Sequence, residues 1–274
     1  MSIKQSKIAF IGGGNMAAAI VQGLLKQGHT EQSIIICEPN AKRAEWLKSS
    51  FNVPVTDSAE VAVSFADAVV LAVKPQVMLS VIEPLAQTDA SAGKVFISIA
   101  AGTSVQTLAS GLGQDTAIVR LMPNMPALVN AGMTGLYANE HTDDQQKEIA
   151  KWVAQACGAL IELDDENQIN AVTALSGSGP AYFLLMMQAM QEQGSSLGLS
   201  DQQIKTLVTQ TTIGAGQLAQ ASEYSPEELC QQIASKGGTT EAALNVLKRA
   251  NVDGATRQAV KAAYDRSIEL SGAK

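Results

Sequence analysis

The stretch Lys7-Ile8-Ala9-Phe10-Ile11-Gly12-Gly13-Gly14-Asn15-Met16-Ala17 joins a short apolar run to the pattern G-x-G-x-x-A. The apolar run predicts a buried strand, and the residues up to about Gly28 predict a helix. Gly12 would permit a tight turn, Gly14 would let a ligand approach the backbone, and Ala17 would let the helix pack closely on the strand. Unpaired N–H groups at a helix start attract phosphate. The stretch therefore predicts a dinucleotide site.

The segment after this helix bears on which dinucleotide is bound. A G-x-G-x-x-A pattern alone is also compatible with an ordinary glycine turn, but Ile34-Ile35-Ile36-Cys37 predicts a second strand that ends at Glu38. A carboxylate at that distance commonly accepts hydrogen bonds from the adenosine ribose, which favours NADH. Lys42 and Arg43 follow one helical turn later and could bind the 2′-phosphate of NADPH, or simply form a solvated helix start. The predicted cofactor is NADPH, with NADH as the other candidate.

Three further apolar runs predict strands that are buried on both faces: Ala68–Val73, Lys94–Ile99 and Ala117–Leu121. Ligands of open α/β sheets bind outside the carboxyl ends of the strands, which is where the nicotinamide half is expected. Lys74, which follows the first of these runs, could line the nicotinamide pocket, but a surface lysine is an equally good interpretation. The predicted cofactor-binding residues are Gly12, Gly14, Asn15, Met16, Glu38, Ala72, Val73, Lys74, Pro75, Ala100, Met122, Pro123 and Asn124.

Composition excludes several classes of protein. The 274 residues carry a formal net charge of −7 with no basic cluster, which argues against nucleic-acid binding. No apolar run approaches the ~20 residues of a membrane span, and no secretory signal is expected. Cys37, Cys157 and Cys230 are widely spaced, which predicts reduced thiols in a cytoplasmic protein and no metal site. His29 and His141 lie in polar stretches away from strand ends, so no catalytic histidine is expected.

The pattern changes character near residue 165. Strands and helices alternate up to Glu162-Leu163, whereas only helical segments follow Asp164. We therefore expect an α/β fold: a Rossmann-type, doubly wound, mostly parallel sheet over residues 1–164 and an all-helical domain over residues 165–274. The predicted helices of the second part are Asn167–Leu175, Ala181–Ser195, Ser200–Ala221, Pro226–Ala234, Thr239–Ala250 and Val252–Leu270.

The helical part contains a segment, Phe183–Met190, that is apolar nearly all round. Such a helix needs neighbours on every side, and a helical layer this small has limited capacity to supply them. Packing within one chain could explain it, but a homodimer explains it better. The helical domain is therefore expected to mediate dimerisation.

Two glycine-rich stretches in the helical part are candidate substrate contacts. Ser176-Gly177-Ser178-Gly179-Pro180 predicts a break between two helices, with Pro180 starting the second; a plain helix–helix turn is the alternative. Gly237-Gly238-Thr239-Thr240 leads into a helix and follows Ser235, so its amides and hydroxyls could bind a small carboxylate.

Taken together, these motifs resemble the Δ1-pyrroline-5-carboxylate reductase family. The motifs cover almost the whole chain in order and spacing. Two of them, Ser176–Tyr182 and Gly237–Thr240, are quite specific to that family. The chain departs from the usual family pattern at Lys236, where proline is common, and at Ala59, where asparagine is often found. The matching pieces are Phe10–Met16, Ala72–Gln76, Ser98–Gly102, Met122–Gly132, Ser176–Tyr182 and Gly237–Thr240.

The resemblance implies a Rossmann domain, a helical dimerisation domain and higher assemblies of dimers, up to a decamer built from dimers. The implied reaction is hydride transfer from NAD(P)H to a cyclic imine, which gives L-proline in the last step of its biosynthesis. The resemblance makes the Thr240 hydroxyl the catalytic group, bonded to the ring nitrogen. The implied substrate-binding residues are Ser176, Gly177, Ser178, Ser235, Gly237, Gly238, Thr239 and Thr240.

Two other functions are compatible with a Rossmann domain joined to helices. A β-hydroxyacid dehydrogenase would need a catalytic lysine on the helical side, and Lys205 is a poor candidate because no polar pocket motif surrounds it. A nucleotide-sensing module would bind the dinucleotide tightly without turnover.

Overall fold

The computed structural model describes residues 3–86 and 88–272. Within them lie eight strands: β1 Ile8–Ile11, β2 Ile34–Cys37, β3 Val55–Thr56, β4 Ala68–Leu71, β5 Val95–Ser98, β6 Ala117–Met122, β7 Gly132–Ala138 and β8 Gly158–Glu162. The α-helices of this part are α1 Asn15–Lys26, α2 Ala41–Phe51, α3 Ala59–Phe65, α4 Met78–Ala86, α5 Val105–Leu112, α6 Asp144–Gln155, α7 Gln168–Val172, α8 Gly179–Ser196, α9 Asp201–Ala221, α10 Pro226–Ile233, α11 Thr239–Arg249 and α12 Val252–Ser271.

The strands form one sheet in the order β3-β2-β1-β4-β5-β6-β7-β8. Every neighbouring pair is parallel except β6 and β7, so β7 and β8 run opposite to the other six. Because β1, β4, β5 and β6 are parallel neighbours, their carboxyl ends meet at one edge, which we call the ligand edge. The predicted doubly wound, mostly parallel sheet is confirmed.

Helices cover both faces of the sheet because successive strand residues point to opposite sides. In β1, Ile8 and Phe10 pack with α1, α2 and α6, while Ala9 and Ile11 pack with α3, α4 and α5. These strand residues are buried on both faces, which explains why the strands are continuous apolar runs in the sequence.

The chain divides into two compact units. The first unit contains the residues up to Ser178 together with those from Ala263 onward, and the second is Gly179–Ala262. Within the first unit, the Ser267 hydroxyl donates to the Asn170 side-chain oxygen at 2.8 Å. The domain boundary between residues 164 and 165 stays a prediction. In the structure, α7 belongs to the same compact unit as the sheet.

The predicted break at Ser176–Pro180 is wrong, because the backbone stays helical there. Thr173–Gly177 forms a π turn, Ser178 has helical dihedral angles, and α8 begins at Gly179. The Ser178 amide donates to the Thr173 carbonyl at 2.8 Å, a spacing that absorbs an extra residue without ending the helix. Pro180 lies in the first turn of α8 and has no N–H group to donate to the preceding turn.

In the second unit, α8 packs on α9 at Gly194. A methyl group on Gly194 would lie only 3.0 Å from the Ile204 side chain, so the glycine permits the close approach. Apolar residues of α8 away from this contact are exposed in the described part of the chain, with Phe183 68% and Leu185 66% exposed. None of the described helices combines the length and the apolar character needed to cross a membrane.

Candidate functional site

The turn after β1 is fixed by Gly12. This residue has a φ of +99°, and its amide donates to the Cys37 carbonyl at 2.9 Å. A methyl group at this position would lie 2.8 Å from the Ala72 carbonyl oxygen, which is too close for any side chain. Gly12 therefore lets the first turn pass directly between the ends of β2 and β4.

Gly14, in contrast, faces open space. It is exposed, its extended backbone suits any residue, and no atom lies within 4 Å of where a side chain would begin. It forms the N-cap of α1 but supplies no side chain to cap the helix. The first N–H groups of α1, beginning at the exposed Asn15, can therefore bind an anion that approaches over Gly14. This geometry fits the pyrophosphate of a dinucleotide.

Gly13, between these two glycines, is held from both sides. Its amide donates to the Glu38 carboxylate at 3.1 Å, and its carbonyl accepts from Arg43 Nε at 2.7 Å. The other Glu38 oxygen accepts from the Asn40 amide at 2.9 Å. The Arg43 guanidinium also stacks on Trp46, with 4.1 Å from Cζ to the ring centroid. Glu38 and Arg43 thus brace the glycine turn, a role that the sequence pattern did not indicate.

The remaining predicted cofactor residues lie at the ligand edge. Ala72 and Val73 follow β4, and Lys74 is the exposed residue before a short 3₁₀ turn that begins with Pro75. Ala100 is buried just after β5. The structure therefore brings together the residues that follow β1, β4, β5 and β6.

Asn124, which follows β6, is buried, and its amide group contacts other protein groups. Its Nδ2 donates to the Ser176 carbonyl at 3.0 Å and to the Ser176 hydroxyl at 3.2 Å. Its Oδ1 accepts from the Met133 amide at 2.9 Å. Close by, a methyl group on Gly177 would lie 2.9 Å from Cε of Met122. The loop after β6 and the π turn are thus tied together.

The glycine–threonine loop lies in the second unit, between α10 and α11. Gly237 has a φ of +75°, which favours glycine, and its amide donates to the Glu241 carboxylate at 2.7 Å. The Gly238 amide donates to the Ser235 carbonyl at 3.0 Å. Gly238 is the N-cap of α11 and offers no side chain to it, so the first N–H groups of α11 have no capping side chain, and the half-buried Thr240 lies in this first turn.

A buried ion pair in the sheet unit was not anticipated. Arg120 on β6 is 6% exposed, and its Nη1 lies 2.6 Å from Glu166 Oε1. The same oxygen accepts from the Val105 amide at the start of α5, at 2.7 Å. Glu166 therefore joins the segment after β8 to β6 and α5. No pattern in the sequence distinguishes Arg120 from an exposed strand residue.

Burial favours the neutral forms of two cysteines and of one histidine in the first unit. Burial raises the pKa of the Cys157 thiol to about 11. Burial also raises the pKa of Cys37, and the Glu38 and Asp57 carboxylates add to that shift. His29 is buried rather than in a polar linker, and its Nδ1 accepts from Trp152 Nε1 at 3.2 Å. Across residues 3–86 and 88–272, no cluster of His, Cys, Asp or Glu is arranged to hold a metal ion.

Comparison with known proteins agrees with this geometry. Residues 166–270 match the family model described as pyrroline-5-carboxylate reductase dimerisation, and residues 7–102 match that of NADP oxidoreductase, coenzyme F420-dependent. The pyrroline-5-carboxylate reductase of Pseudomonas aeruginosa is 44% identical over 97% of this chain and 97% of that protein. The chain belongs to the pyrroline-5-carboxylate reductase family.

Solved structures of pyrroline-5-carboxylate reductases have the same fold. One from Coxiella burnetii is 40% identical with a TM-score of 0.92, covering 97% of this chain and 99% of that one. The Plasmodium falciparum pyrroline carboxylate reductase with NADP bound is 28% identical with a TM-score of 0.87, covering 98% and 99%. The resemblance seen in the sequence motifs is confirmed, and the family is one of NAD(P)-dependent oxidoreductases.

Proposed function

We propose that this chain reduces 1-pyrroline-5-carboxylate to L-proline with NADPH. The observation that carries the proposal is a contrast among helix starts. Helices α2, α3, α5, α6, α9 and α10 each begin with a capping side chain. The N-cap residues of α1, α7 and α11 make no such bond, and in α1 and α11 the N-cap is a glycine, Gly14 or Gly238, which has no side chain to supply one. The two glycine motifs thus leave N–H groups available for two anions, a cofactor pyrophosphate and a substrate carboxylate.

In this proposal the turn Gly12–Gly14 and the start of α1 bind the pyrophosphate, and the residues that follow β4 and β5, with Met122 and Pro123 at the end of β6, line the nicotinamide. The amides of Gly238, Thr239 and Thr240 bind the carboxylate together with Ser235. Uncapped amides at a helix start support that assignment, because they bind a carboxylate without an added cation. The Ser176–Ser178 segment also contacts the substrate.

The reaction requires little acid–base chemistry from the protein. An imine nitrogen is basic and can arrive already protonated, so that hydride addition to the imine carbon gives the neutral amine. The bound nicotinamide supplies the hydride. The Thr240 hydroxyl bonds the ring nitrogen and orients the ring, while the carboxylate contacts fix its position. This account agrees with the absence of a histidine from the residues described at the ligand edge.

NADPH is the proposed cofactor, although Glu38 would ordinarily favour NADH. Both Glu38 oxygens accept from backbone amides, Gly13 and Asn40, so this carboxylate already has partners at the turn. Lys42 is exposed in the first turn of α2 and can reach a 2′-phosphate. The bound NADP reported for the Plasmodium falciparum protein supports the same choice.

The active form is proposed to be a homodimer in the cytoplasm, with a decamer built from dimers as the largest assembly. The uncovered apolar face of α8 supports dimerisation, because exposed patches of this kind mark protein interfaces. The match of residues 166–270 to the dimerisation model supports it too. Unpaired cysteines support a reducing compartment.

A β-hydroxyacid dehydrogenase is the other enzyme to exclude. It would need a catalytic lysine on the helical side, and Lys205, which is exposed on α9, is a poor candidate. A sensing module would bind NADPH without oxidising it.

One experiment separates these functions. The purified protein is mixed with NADPH and pyrroline-5-carboxylate, and the loss of reduced nicotinamide absorbance is followed, with a panel of β-hydroxyacids and NADP⁺ as the comparison. We expect oxidation with the cyclic imine alone. Turnover of a hydroxyacid, or tight NADPH binding without turnover of either substrate, would contradict the proposal.

A further inference from the structure

Asn124 makes an unusual set of contacts for a residue that follows a strand at the ligand edge. It is 8% exposed, and both polar atoms of its side chain are hydrogen-bonded to other segments of the chain. The acceptor bond to the Met133 amide anchors it to the start of β7, which is part of the sheet. The two donor bonds reach the backbone and the hydroxyl of Ser176. Asn124 therefore connects a rigid strand to the π turn.

The residue that Asn124 contacts, Ser176, belongs to the π turn Thr173–Gly177. A π turn is a locally irregular helical segment that commonly occurs at functional sites. The Ser178 amide bonds to Thr173, and the half-buried Ser176 lies inside this turn. The Ser176 hydroxyl has one other described neighbour, the Met133 carbonyl at 3.5 Å. Its position is thus defined from the Asn124 side and from the start of β7.

We propose that Asn124 is a positioning residue for the substrate, which it affects by holding Ser176, rather than a ligand of the cofactor. The inference rests on the proposed function, in which Ser176 contacts the substrate. Loss of the Asn124 donor would let the π turn move, and the contact with the substrate would weaken in the ground state and the transition state alike. Such a change raises KM and leaves kcat nearly constant.

The chain offers a matched control at the other end of the same strand pair. Asn139 follows β7 and is 6% exposed. Its Oδ1 accepts from the Ile118 amide at 3.0 Å, and its Nδ2 donates to the Thr116 carbonyl at 2.9 Å. Because β7 is antiparallel to β6, Asn139 lies at the edge opposite the ligand edge. Asn→Asp at either position keeps the acceptor for a backbone amide and removes the donor to a backbone carbonyl.

The test compares Asn124→Asp with Asn139→Asp. We expect Asn124→Asp to raise KM for pyrroline-5-carboxylate roughly tenfold, the effect of one lost hydrogen bond, with kcat and the Kd for NADPH nearly unchanged. Asn139→Asp should leave all three constants unchanged, whatever its effect on Tm. An unchanged KM in Asn124→Asp, or an equal rise in both variants, would overturn the proposal. A loss of NADPH affinity equal to the rise in KM would make Asn124 a cofactor ligand instead.

A double-mutant cycle with Ser176→Ala excludes a direct effect of the new carboxylate. If Asn124 acts through Ser176, most of the effect of Asn124→Asp disappears in the Ser176→Ala background. An undiminished effect there would contradict this route.

Amide hydrogen exchange supplies a readout that does not need turnover. Exchange at Ser176–Ser178 should accelerate in Asn124→Asp and not in Asn139→Asp, even if the wild-type protein fails to reduce pyrroline-5-carboxylate. Failure of the wild-type reaction would overturn the proposed function, whereas unchanged exchange in Asn124→Asp would overturn the tether itself.

Discussion

Gly14 and Gly12 lie two positions apart, yet they impose opposite requirements on a side chain. Gly14→Val should raise the Kd for the dinucleotide by at least tenfold, because its side chain would occupy the space over which a pyrophosphate approaches. The fold should persist, since no atom lies within 4 Å of where that side chain begins.

Gly12→Ala should instead destabilise the fold by about 1–2 kcal/mol or more, because a residue with positive φ would also contact the Ala72 carbonyl. Nicotinamide fluorescence titration and thermal unfolding distinguish the two; unchanged affinity in Gly14→Val would contradict the assigned turn.

Lys42 and Arg43 are adjacent but are expected to differ in effect. Lys42→Ala should weaken NADPH binding about tenfold relative to NADH, because only the phosphate would lose a partner. Arg43→Ala should weaken both cofactors equally, because Arg43 holds Gly13. Lys48→Ala, in the last turn of the same helix, is the control for net charge. A selective loss of NADPH affinity in Arg43→Ala would show that this guanidinium binds the phosphate.

Thr240 is the one residue of the site with a proposed chemical role. Thr240→Val keeps the shape of the side chain and removes the hydroxyl, which should cost on the order of 1–3 kcal/mol, or roughly tenfold to a hundredfold in kcat and kcat/KM. Thr240→Ser should retain much of the rate. Altering Ser235 should raise KM more than it lowers kcat, since carboxylate contacts are equal in both states. The measurement is steady-state kinetics. Wild-type values of kcat and kcat/KM in Thr240→Val would show that the hydroxyl has no chemical role and that positioning of the substrate accounts for the reaction.

At the scale of elements, the sequence predicts those strands and helices whose burial gives them a regular pattern of apolar residues. β1, β2, β4, β5 and β6 were predicted because strands covered on both faces are continuous apolar runs. β7 and β8 were not: β7 contains two glycines, and β8 is partly exposed, so neither shows a clear pattern. The helices of the second unit were predicted to within a few residues, since Ser200 and Ser225 cap two of them.

The parts that sequence could not supply depend on tertiary contacts. Whether Glu38 points to a ligand or to Gly13 is decided by the turn of the chain, not by the residue type. The π turn likewise makes contacts with residues far from it in the sequence, the Asn124 bond to the Ser176 carbonyl and the close approach of Met122 to Gly177. Local propensity contains neither piece of information, because both involve residues that are distant in the sequence.

The turn after α1 and helix α6 are joined by a titratable contact between His29 and Trp152. Burial holds the pKa of His29 below its ordinary value of about 6.5, although an interaction with the Ser6 backbone opposes the shift. The unfolded chain therefore binds more protons as pH falls through 6.5, and the free energy of unfolding should fall by up to about 1.4 kcal/mol per pH unit. Protonation of Nδ1 would also break its bond from Trp152. Urea unfolding at several pH values should show a flatter profile for His29→Gln; identical profiles would contradict a neutral, buried His29.

At the scale of the whole molecule, the uncovered face of α8 predicts a dimer that does not dissociate into folded monomer on dilution. Leu185→Glu should raise the monomer fraction in analytical ultracentrifugation, because a charge would have to be buried at the interface. Val61→Glu, at an exposed apolar position on α3, is the matched control and should leave assembly unchanged. A stable, active monomer of the wild-type chain would show that one chain suffices.

The return of the chain to its first unit has a consequence for synthesis. Ser267 and Leu270 lie on the last turns of α12, where they meet Asn170 and Gly102 of the sheet unit. A ribosome completes β8 long before it delivers these residues, and all of the second unit is made in between. The first unit of the nascent chain therefore stays incomplete until the end of the chain has been made. Closing the long loop between Asn170 and Ser267 adds an entropic cost to the last step of its folding. Nascent chains stalled before Ala263 should accordingly be more sensitive to protease than the released protein.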